Sequence, residues 1–412
     1  MVKNMGNTES ERPADEAKDC ASGADAYAQA AQVEVGLKDS TADAPPADTD
    51  APPADAPTAT STEYFSCYNS ERKFFAKVEE ITVGGVKCRT FNDEHFARIR
   101  AHFGIPNDFA QSKDHFDFSN MIAAGGKGGD PMARTKDKKY FIKEVNRDDH
   151  NTLLEIAKGL SEHFIEKTKS SIIVPIFAHF TRTDKKSKKT FFAMTNCLAD
   201  PGPYSKIYDL KGCADDKLLT ENGKRVNVVH KRIWKLNLWC GCGGEDRTNY
   251  LRGKLEALHE PDLKLTKTQK DLLINAIKND CNFMKKYGLM DYSLLVAVIN
   301  HADGKDINAQ TLTEVGAGTA LVAPDGNGKQ RITIVGIIDF LQQWGLGKQV
   351  AKGIKVLERN KATIPPPRYA DRFMQHFERI ILVVDGDDDL EKQILARTKT
   401  KLPHRCYPFL RR

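Results

Sequence analysis

Two aspartates stand where the sequence makes a charge expensive. Asp291 opens the run Tyr292-Ser293-Leu294-Leu295-Val296-Ala297-Val298, and Asp339 interrupts the run Ile332-Thr333-Ile334-Val335-Gly336-Ile337-Ile338-Asp339-Phe340-Leu341. Each run is short and apolar, the first rich in leucine and valine, the pattern of a strand covered on both faces. A carboxylate in such a setting needs compensation. A divalent cation held by oxygen ligands supplies it, and so does a turn cap or an arginine partner. Two strands that each deliver one carboxylate point to a Mg²⁺-phosphate site. A third strand, Ile207-Tyr208-Asp209-Leu210-Lys211-Gly212, carries an acid and a base two residues apart, so alternation puts Asp209 and Lys211 on one face. Upstream, Gly125, Gly126 and Gly128 precede the strand Tyr140-Phe141-Ile142-Lys143-Glu144-Val145. Glycines let a backbone approach phosphate and a strand lysine neutralises it. The same glycines would also serve a hairpin turn, and Lys143 alternates with apolar neighbours as a solvent-facing lysine would.

The elements that must position these groups follow from periodicity. Helices are expected at Asp93 to Phe103, with Asp93 as cap and Gly104 as stop, and at His150 to Lys167. Two more are expected at Thr266 to Lys286, just before Asp291, and at Arg368 to Val383. Further strands are expected at Ile81 to Val83, Ile172 to Phe177 and Phe191 to Met194. Residues 213 to 264 read as irregular and polar, and residues 301 to 329, rich in Gly, Asp, Asn and Ala, as an exposed loop between the two aspartate strands. Cys240-Gly241-Cys242 supplies two zinc ligands and no second pair follows at a suitable spacing, so a zinc site is not expected there. Beyond Asp339, a glycine-punctuated basic stretch presents Lys348, Lys352 and Lys355 and suits an anionic bilayer, although an exposed loop has the same composition.

Charge is unevenly spread. The whole 412-residue chain is +6, but residues 1 to 60 hold 4 basic and 12 acidic residues (−8), which leaves 58 basic and 44 acidic (+14) for the remainder. A basic body favours polyanions, either nucleic acid or an anionic lipid leaflet. No aromatic-interleaved basic motif or zinc finger speaks for nucleic acid. Residues 1 to 62 are rich in Ala, Asp, Pro and Thr, with too few large apolar groups to offset ordering entropy, and read as a disordered acidic tail. Met5-Gly6-Asn7-Thr8-Glu9-Ser10 would fit a myristoylation signal only if translation began at Met5. The acidic N-terminus lacks the features of an export signal, no run nears the ~18 apolar residues of a spanning helix, and the nine cysteines are scattered. A cytoplasmic protein with reduced thiols is the expectation.

In order and spacing, Tyr208-Asp209-Leu210-Lys211-Gly212, Leu289-Met290-Asp291-Tyr292-Ser293-Leu294-Leu295 and Gly336-Ile337-Ile338-Asp339 resemble the phosphatidylinositol phosphate kinase family, and Ile142-Lys143, Asn279 to Phe283 and Tyr369 to Phe373 add weaker matches. The resemblance covers roughly Ile81 to Leu382. It implies an α/β (α+β) two-lobed lipid-kinase fold, distantly similar to protein kinases, with an antiparallel sheet in each lobe. The N-terminal lobe would be residues 63 to 198, the C-terminal lobe 199 to 412 and the activation loop 340 to 372. It further implies ATP and Mg²⁺, transfer of the γ-phosphoryl to phosphatidylinositol monophosphate in an anionic membrane, peripheral attachment at the cytosolic face, and a homodimer. On this resemblance Lys143 meets the ATP phosphates with Gly125, Gly126 and Gly128, and Asp339 holds Mg²⁺. Asp291 orients or deprotonates the attacking hydroxyl, while Asp209 and Lys211 flank the transferred phosphate. Lys217 stands where relatives usually carry an arginine for the lipid phosphate, and Lys348, Lys352 and Lys355 read the lipid. Glu155 is the candidate partner of Lys143. Cys213 replaces the serine usual after Asp-Leu-Lys-Gly. Ala351 leans toward a 5-phosphate 4-kinase, whereas the 4-phosphate 5-kinases are the commoner class; a catalytically weak phosphoinositide-binding scaffold is the other alternative.

Overall fold

The computed structural model describes residues 63–69, 72–109, 122–123, 131–167, 170–184, 187–198, 204–227, 231–233, 238–239, 244–300, 312–325, 329–344, 363–385, 390 and 392–394. The tail, Gly125, Gly126, Gly128, Lys348, Lys352, Lys355, Ala351, Cys240 and Cys242 lie outside these residues. Residues Ala59–Arg412 form one compact unit.

Two antiparallel sheets organise it, one per lobe, as the resemblance implied. The first comprises β1 (Glu63–Asn69), β2 (Arg72–Val83), β3 (Val86–Phe91), β4 (Ile122–Ala123), β5 (Pro131–Arg134), β6 (Tyr140–Glu144), β7 (Ile176–Asp184) and β8 (Ser187–Thr195), in the order β1-β2-β3-β7-β8-β6-β5-β4. The second is built from β9 (Lys206–Leu210), β10 (Lys217–Glu221) and β11 (Lys224–Arg225), joined later in the chain by three more strands. After the short ladder of β12 (Lys231–Ile233) with β13 (Leu238–Trp239), and β14 (Lys264–Leu265), these are β15 (Ser293–Asn300), β16 (Ala320–Pro324) and β17 (Gln330–Ile338), giving the order β11-β10-β9-β15-β17-β16. β14 pairs in parallel with β18 (Leu382–Val383). β15 and β17 are buried along nearly their whole length, which is why their sequences run apolar without alternation.

Helices cover the sheets: α1 (Asp93–His102), α2 (Arg147–Glu162), α3 (Gly244–His259), α4 (Lys267–Lys286) and α5 (Pro366–Ile380). α4 opens with a capping box, the Thr266 hydroxyl accepting from Gln269 N–H while the Gln269 side chain accepts from Thr266 N–H. α5 starts at a proline, whose missing N–H costs nothing in a first turn. One contiguous core joins Phe96 and Ile142 in the first lobe to Tyr208, Val335 and Phe373 in the second.

Several expectations are corrected. Asp93 does not cap α1; the preceding Asn92 takes that place in a left-handed conformation, and Asp93 instead accepts from Nη1 and Nη2 of buried Arg100, at 2.9 and 2.8 Å. The second helix begins at Arg147, capped by Asn146, and ends at Glu162 in a π-turn over His163–Lys167. The last helix ends at Ile380 rather than Val383. The described residues between 213 and 264 are not all irregular: they supply β10 and the whole of α3, whose Ala257 and Leu258 are buried. Within 301 to 329, β16 buries Leu321, Val322 and Ala323 against β17.

The strand expected at Ile172 to Phe177 begins only at Ile176, because the residues before it cross between the lobes. Ile337 N–H donates to Ile172 C=O (2.6 Å), and Val174 N–H donates to Ile337 C=O (3.0 Å). Fully buried Asp280 on α4 pins this crossing, accepting from Ser171 Oγ at 2.7 Å and Ile172 N–H at 2.8 Å, with His163 Nε2 at 2.7 Å.

α2 meets the second lobe through a glycine. A Cβ at Gly159 would lie 1.9 Å from Tyr287 Oη and 2.5 Å from its ring carbon Cζ. Helix propensity alone says Gly159→Ala stabilises by about 1 kcal/mol. Overpacking costs about 1–3 kcal/mol, so we expect net destabilisation in denaturant unfolding. A rise in stability would mean that Tyr287 swings away freely.

Candidate active site

The register of the second sheet gathers the chemistry. Ser293 pairs with Ile338, so Asp291, just before β15, and Asp339, just after β17, leave the sheet at the same end. Both adopt left-handed backbone conformations, φ 64° and 56°. Aspartate tolerates this region better than most residues, yet each such position still costs about 1–3 kcal/mol and persists only where the surroundings enforce it. The enforcement beneath Asp291 is aromatic. Tyr369 Oη donates to Tyr292 C=O at 2.5 Å, and the Tyr292 ring packs edge-on against Tyr369 and Phe373 of α5 at 4.7 and 4.9 Å. That explains why Tyr369 to Phe373 accompanies the aspartate motif in the sequence.

Two lysine–aspartate pairs result. Lys211 Nζ lies 2.6 Å from both the carboxylate Oδ1 and the carbonyl oxygen of Asp291. Burial by itself would lower the pKa of the Lys211 ammonium; the carboxylates of Asp291, Asp209 and Asp339 outweigh it and the net shift is upward, so Lys211 stays charged. Lys143 reaches from β6 of the other lobe to Asp339, Nζ to Oδ1 at 3.1 Å. Its side chain is 15% exposed while that of Asp339 is 56% exposed, so the lysine is sheathed and the carboxylate faces the opening.

Asp209 and Lys217 are cross-strand neighbours on β9 and β10, and Lys217 Nζ stands 3.5 Å from Asp209 Oδ2. Asp209 Oδ1 is buried without a hydrogen-bond partner among the described residues. Glu155 accepts from Gln343 Nε2 at 2.7 Å. The structure therefore brings together Asp209, Lys211, Lys217, Asp291, Asp339 and Lys143.

The donor set suits Mg²⁺. No group of three or more His, Cys, Asp or Glu among the described residues could enclose a metal. A half-exposed Asp339 carboxylate offers one protein ligand and leaves room for phosphate oxygens and water, the arrangement Mg²⁺ favours with nucleotides.

Sequence reasoning missed two buried groups beneath this site. Asp216 accepts from Lys211 N–H at 2.6 Å and Cys213 N–H at 3.3 Å, and His376 Nε2 lies 3.8 Å from its other oxygen. Nothing in the local sequence marks either, since both look like surface polar residues.

The family model described as phosphatidylinositol-4-phosphate 5-kinase matches residues 115–321 and 316–380, more than half of the chain. The chain belongs to the phosphatidylinositol phosphate kinase family. Among its relatives is a 1-phosphatidylinositol 3-phosphate 5-kinase of Saccharomyces cerevisiae, 23% identical over 325 residues, 74% of this chain and 12% of that one. A phosphatidylinositol 4-phosphate 5-kinase of Arabidopsis thaliana is 24% identical over 309 residues, 63% of this chain and 40% of that one. A phosphatidylinositol 4-phosphate 5-kinase-like protein of Mus musculus is 20% identical over 334 residues, 75% of this chain and 79% of that one. The chain thus spans well under half of the first two kinases and most of the third. The residues of the lysine–aspartate pairs from Asp209 to Asp339 fall within the matched ranges, as does Lys143.

Proposed function

We propose that this chain is a lipid kinase that moves the γ-phosphoryl group of ATP onto the 5-hydroxyl of phosphatidylinositol 4-phosphate, working peripherally at the cytosolic face of an anionic membrane. The observation that carries the reading is the convergence of Lys211–Asp291 and Lys143–Asp339 at one end of the central sheet. Phosphoryl transfer asks a protein mainly for alignment and charge neutralisation, and this arrangement offers both. Lys143 neutralises ATP phosphate charge. Asp339 would hold Mg²⁺, which would supply further neutralisation of phosphate charge. Asp291 accepts the hydrogen of the attacking inositol hydroxyl and aims its oxygen. Lys211 holds the Asp291 carboxylate at 2.6 Å and places a positive charge beside the group in transit. Asp209 holds Lys217 where the phosphate already on the lipid would sit, as a point charge without the two-pronged grip of arginine. Lys348, Lys352 and Lys355 follow Asp339 in the sequence and complete the reading as the lipid-facing stretch.

Support for the 5-hydroxyl comes from the names of two relatives, 5-kinases of the 3-phosphate and the 4-phosphate lipid, and of a third named 5-kinase-like. The test is transfer from labelled ATP to vesicles carrying phosphatidylinositol 3-, 4- or 5-phosphate, with the product's ring position determined. Product from the 4-phosphate lipid, phosphorylated at position 5, is expected. Predominant product from the 5-phosphate lipid would assign a 4-kinase, as Ala351 suggests, and predominant product from the 3-phosphate lipid would move the substrate assignment.

A further inference from the structure

We propose that Asp216 is a positioning residue for phosphoryl transfer: its buried carboxylate clamps the turn after β9 so that Lys211 is held against Asp291, and His376 of α5 backs it. The inference rests on the function proposed above and adds residues outside the motifs that carry the sequence resemblance.

The geometry is specific. Lys211, Gly212 and Cys213 wrap around one oxygen of Asp216, which accepts from the first and third N–H groups of that turn. Asp216 N–H donates back to Cys213 C=O at 3.0 Å, closing the loop. Gly212 adopts φ +69°, and a Cβ there would stand 3.0 Å from His376 Cβ, so α5 packs directly on the turn. From α3, buried Lys254 Nζ donates to Ala214 C=O at 2.7 Å. Three elements thus converge on the turn that carries Lys211, whose Nζ lies 2.6 Å from Asp291. Because a turn shift moves Lys211 with it, the clamp sets the distance between the lysine and the aspartate.

The tautomer of His376 supports the same picture. Arg379 Nη2 lies 3.3 Å from His376 Nδ1, and a guanidinium only donates, so Nδ1 accepts and the ring proton sits on Nε2. That proton faces Asp216 Oδ2, which has no hydrogen-bond partner among the described residues, across 3.8 Å.

The charge of Asp216 comes at a cost. Burial pushes its pKa up to about 7, with Asp209 of β9 adding to the rise, and with the Lys211 and Cys213 N–H groups and Lys254 of α3 opposing it. Since the folded pKa exceeds the ordinary 3.8, the folded state holds the proton more tightly, and stability falls as pH rises through this range. Asparagine would spare that loss while keeping the acceptor. A carboxylate at a position that costs stability fits a role in the site.

The experiment compares Asp216→Ala and Asp216→Asn with the full chain, using kcat on phosphatidylinositol 4-phosphate vesicles, KM for ATP, thermal unfolding, and the rate at which an amine-acylating reagent modifies Lys211 relative to Lys143, read by mass spectrometry. In Asp216→Ala we expect kcat to fall about 10–100-fold, KM for ATP to stay within about twofold, and Lys211 labelling to rise while Lys143 labelling does not. Asp216→Asn keeps the acceptor and should restore most of the Lys211 protection. The ratio of wild-type to Asp216→Asn kcat should climb as pH goes from about 6 to about 8, following ionisation of the carboxylate. Unchanged Lys211 labelling in folded Asp216→Ala, or raised labelling with unchanged kcat, overturns the proposal. If Asp216→Ala does not fold, a flat wild-type to Asp216→Asn ratio overturns it. A wild-type chain that labels as expected but transfers nothing to lipid would refute the function and with it the catalytic part of the clamp, leaving only a structural contact.

Discussion

Asp339→Asn is expected to lower lipid phosphorylation by about 10³-fold or more, because under the proposed function it removes the carboxylate assigned to Mg²⁺ and with it several kcal/mol of charge stabilisation in the transition state. The fold should survive. Asp339 follows β17 rather than sitting in it, and its side chain is half exposed, so asparagine creates no cavity. Asparagine also tolerates the left-handed backbone at this position. Initial rates at saturating ATP, with titration calorimetry of Mg·ATP and of metal-free ATP, check the claim. The magnesium complex should bind more weakly while metal-free ATP is held at least as well, since Lys143 is released from its carboxylate partner. Equal losses for both forms would place Asp339 outside the metal shell.

The second large effect concerns Lys211 and Asp291 as a unit. Each of Lys211→Met and Asp291→Asn should lower kcat by about 10²–10⁴-fold, the range for removing a positioned acid or base. The double substitution should cost little more than the worse single one, because either change already breaks the 2.6 Å pair. A double-mutant cycle on kcat measures this directly. Additive losses would mean that the two groups act on different steps and that their contact is incidental.

How legible these features were depends on how far the deciding contacts lie along the chain. β15 and β17 were readable because strands buried on both faces must be apolar, and the two aspartates stood out against them. Their meeting at one end was not readable, since it depends on the Ser293–Ile338 register. α3 was missed because its segment, Gly244–His259, opens on the polar run Gly-Glu-Asp-Arg-Thr-Asn and contains Gly253, so its apolar side is narrow. β16 is five residues long and sits between Gly-rich stretches, which looks like loop. Asp216 reads as part of a polar turn next to Asp215. Its burial is produced by Lys254, 38 residues later, and by His376, much further on. Cys213 was visible as a departure from the family's serine, and the structure shows it buried, with burial pushing its thiol up to about 12. It acts as packing beneath the turn rather than as a nucleophile.

The phosphoryl-transfer account is tested most directly by single-turnover transfer of label from the γ-phosphate of ATP to vesicles containing phosphatidylinositol 4-phosphate, run with the wild-type chain beside Asp339→Asn. The account predicts labelled phosphatidylinositol bisphosphate from the wild type and essentially none from the variant, with both proteins folded and both bound to the vesicles. Bound, folded wild-type protein that labels no phosphoinositide, or a product that Asp339→Asn leaves undiminished, would contradict it.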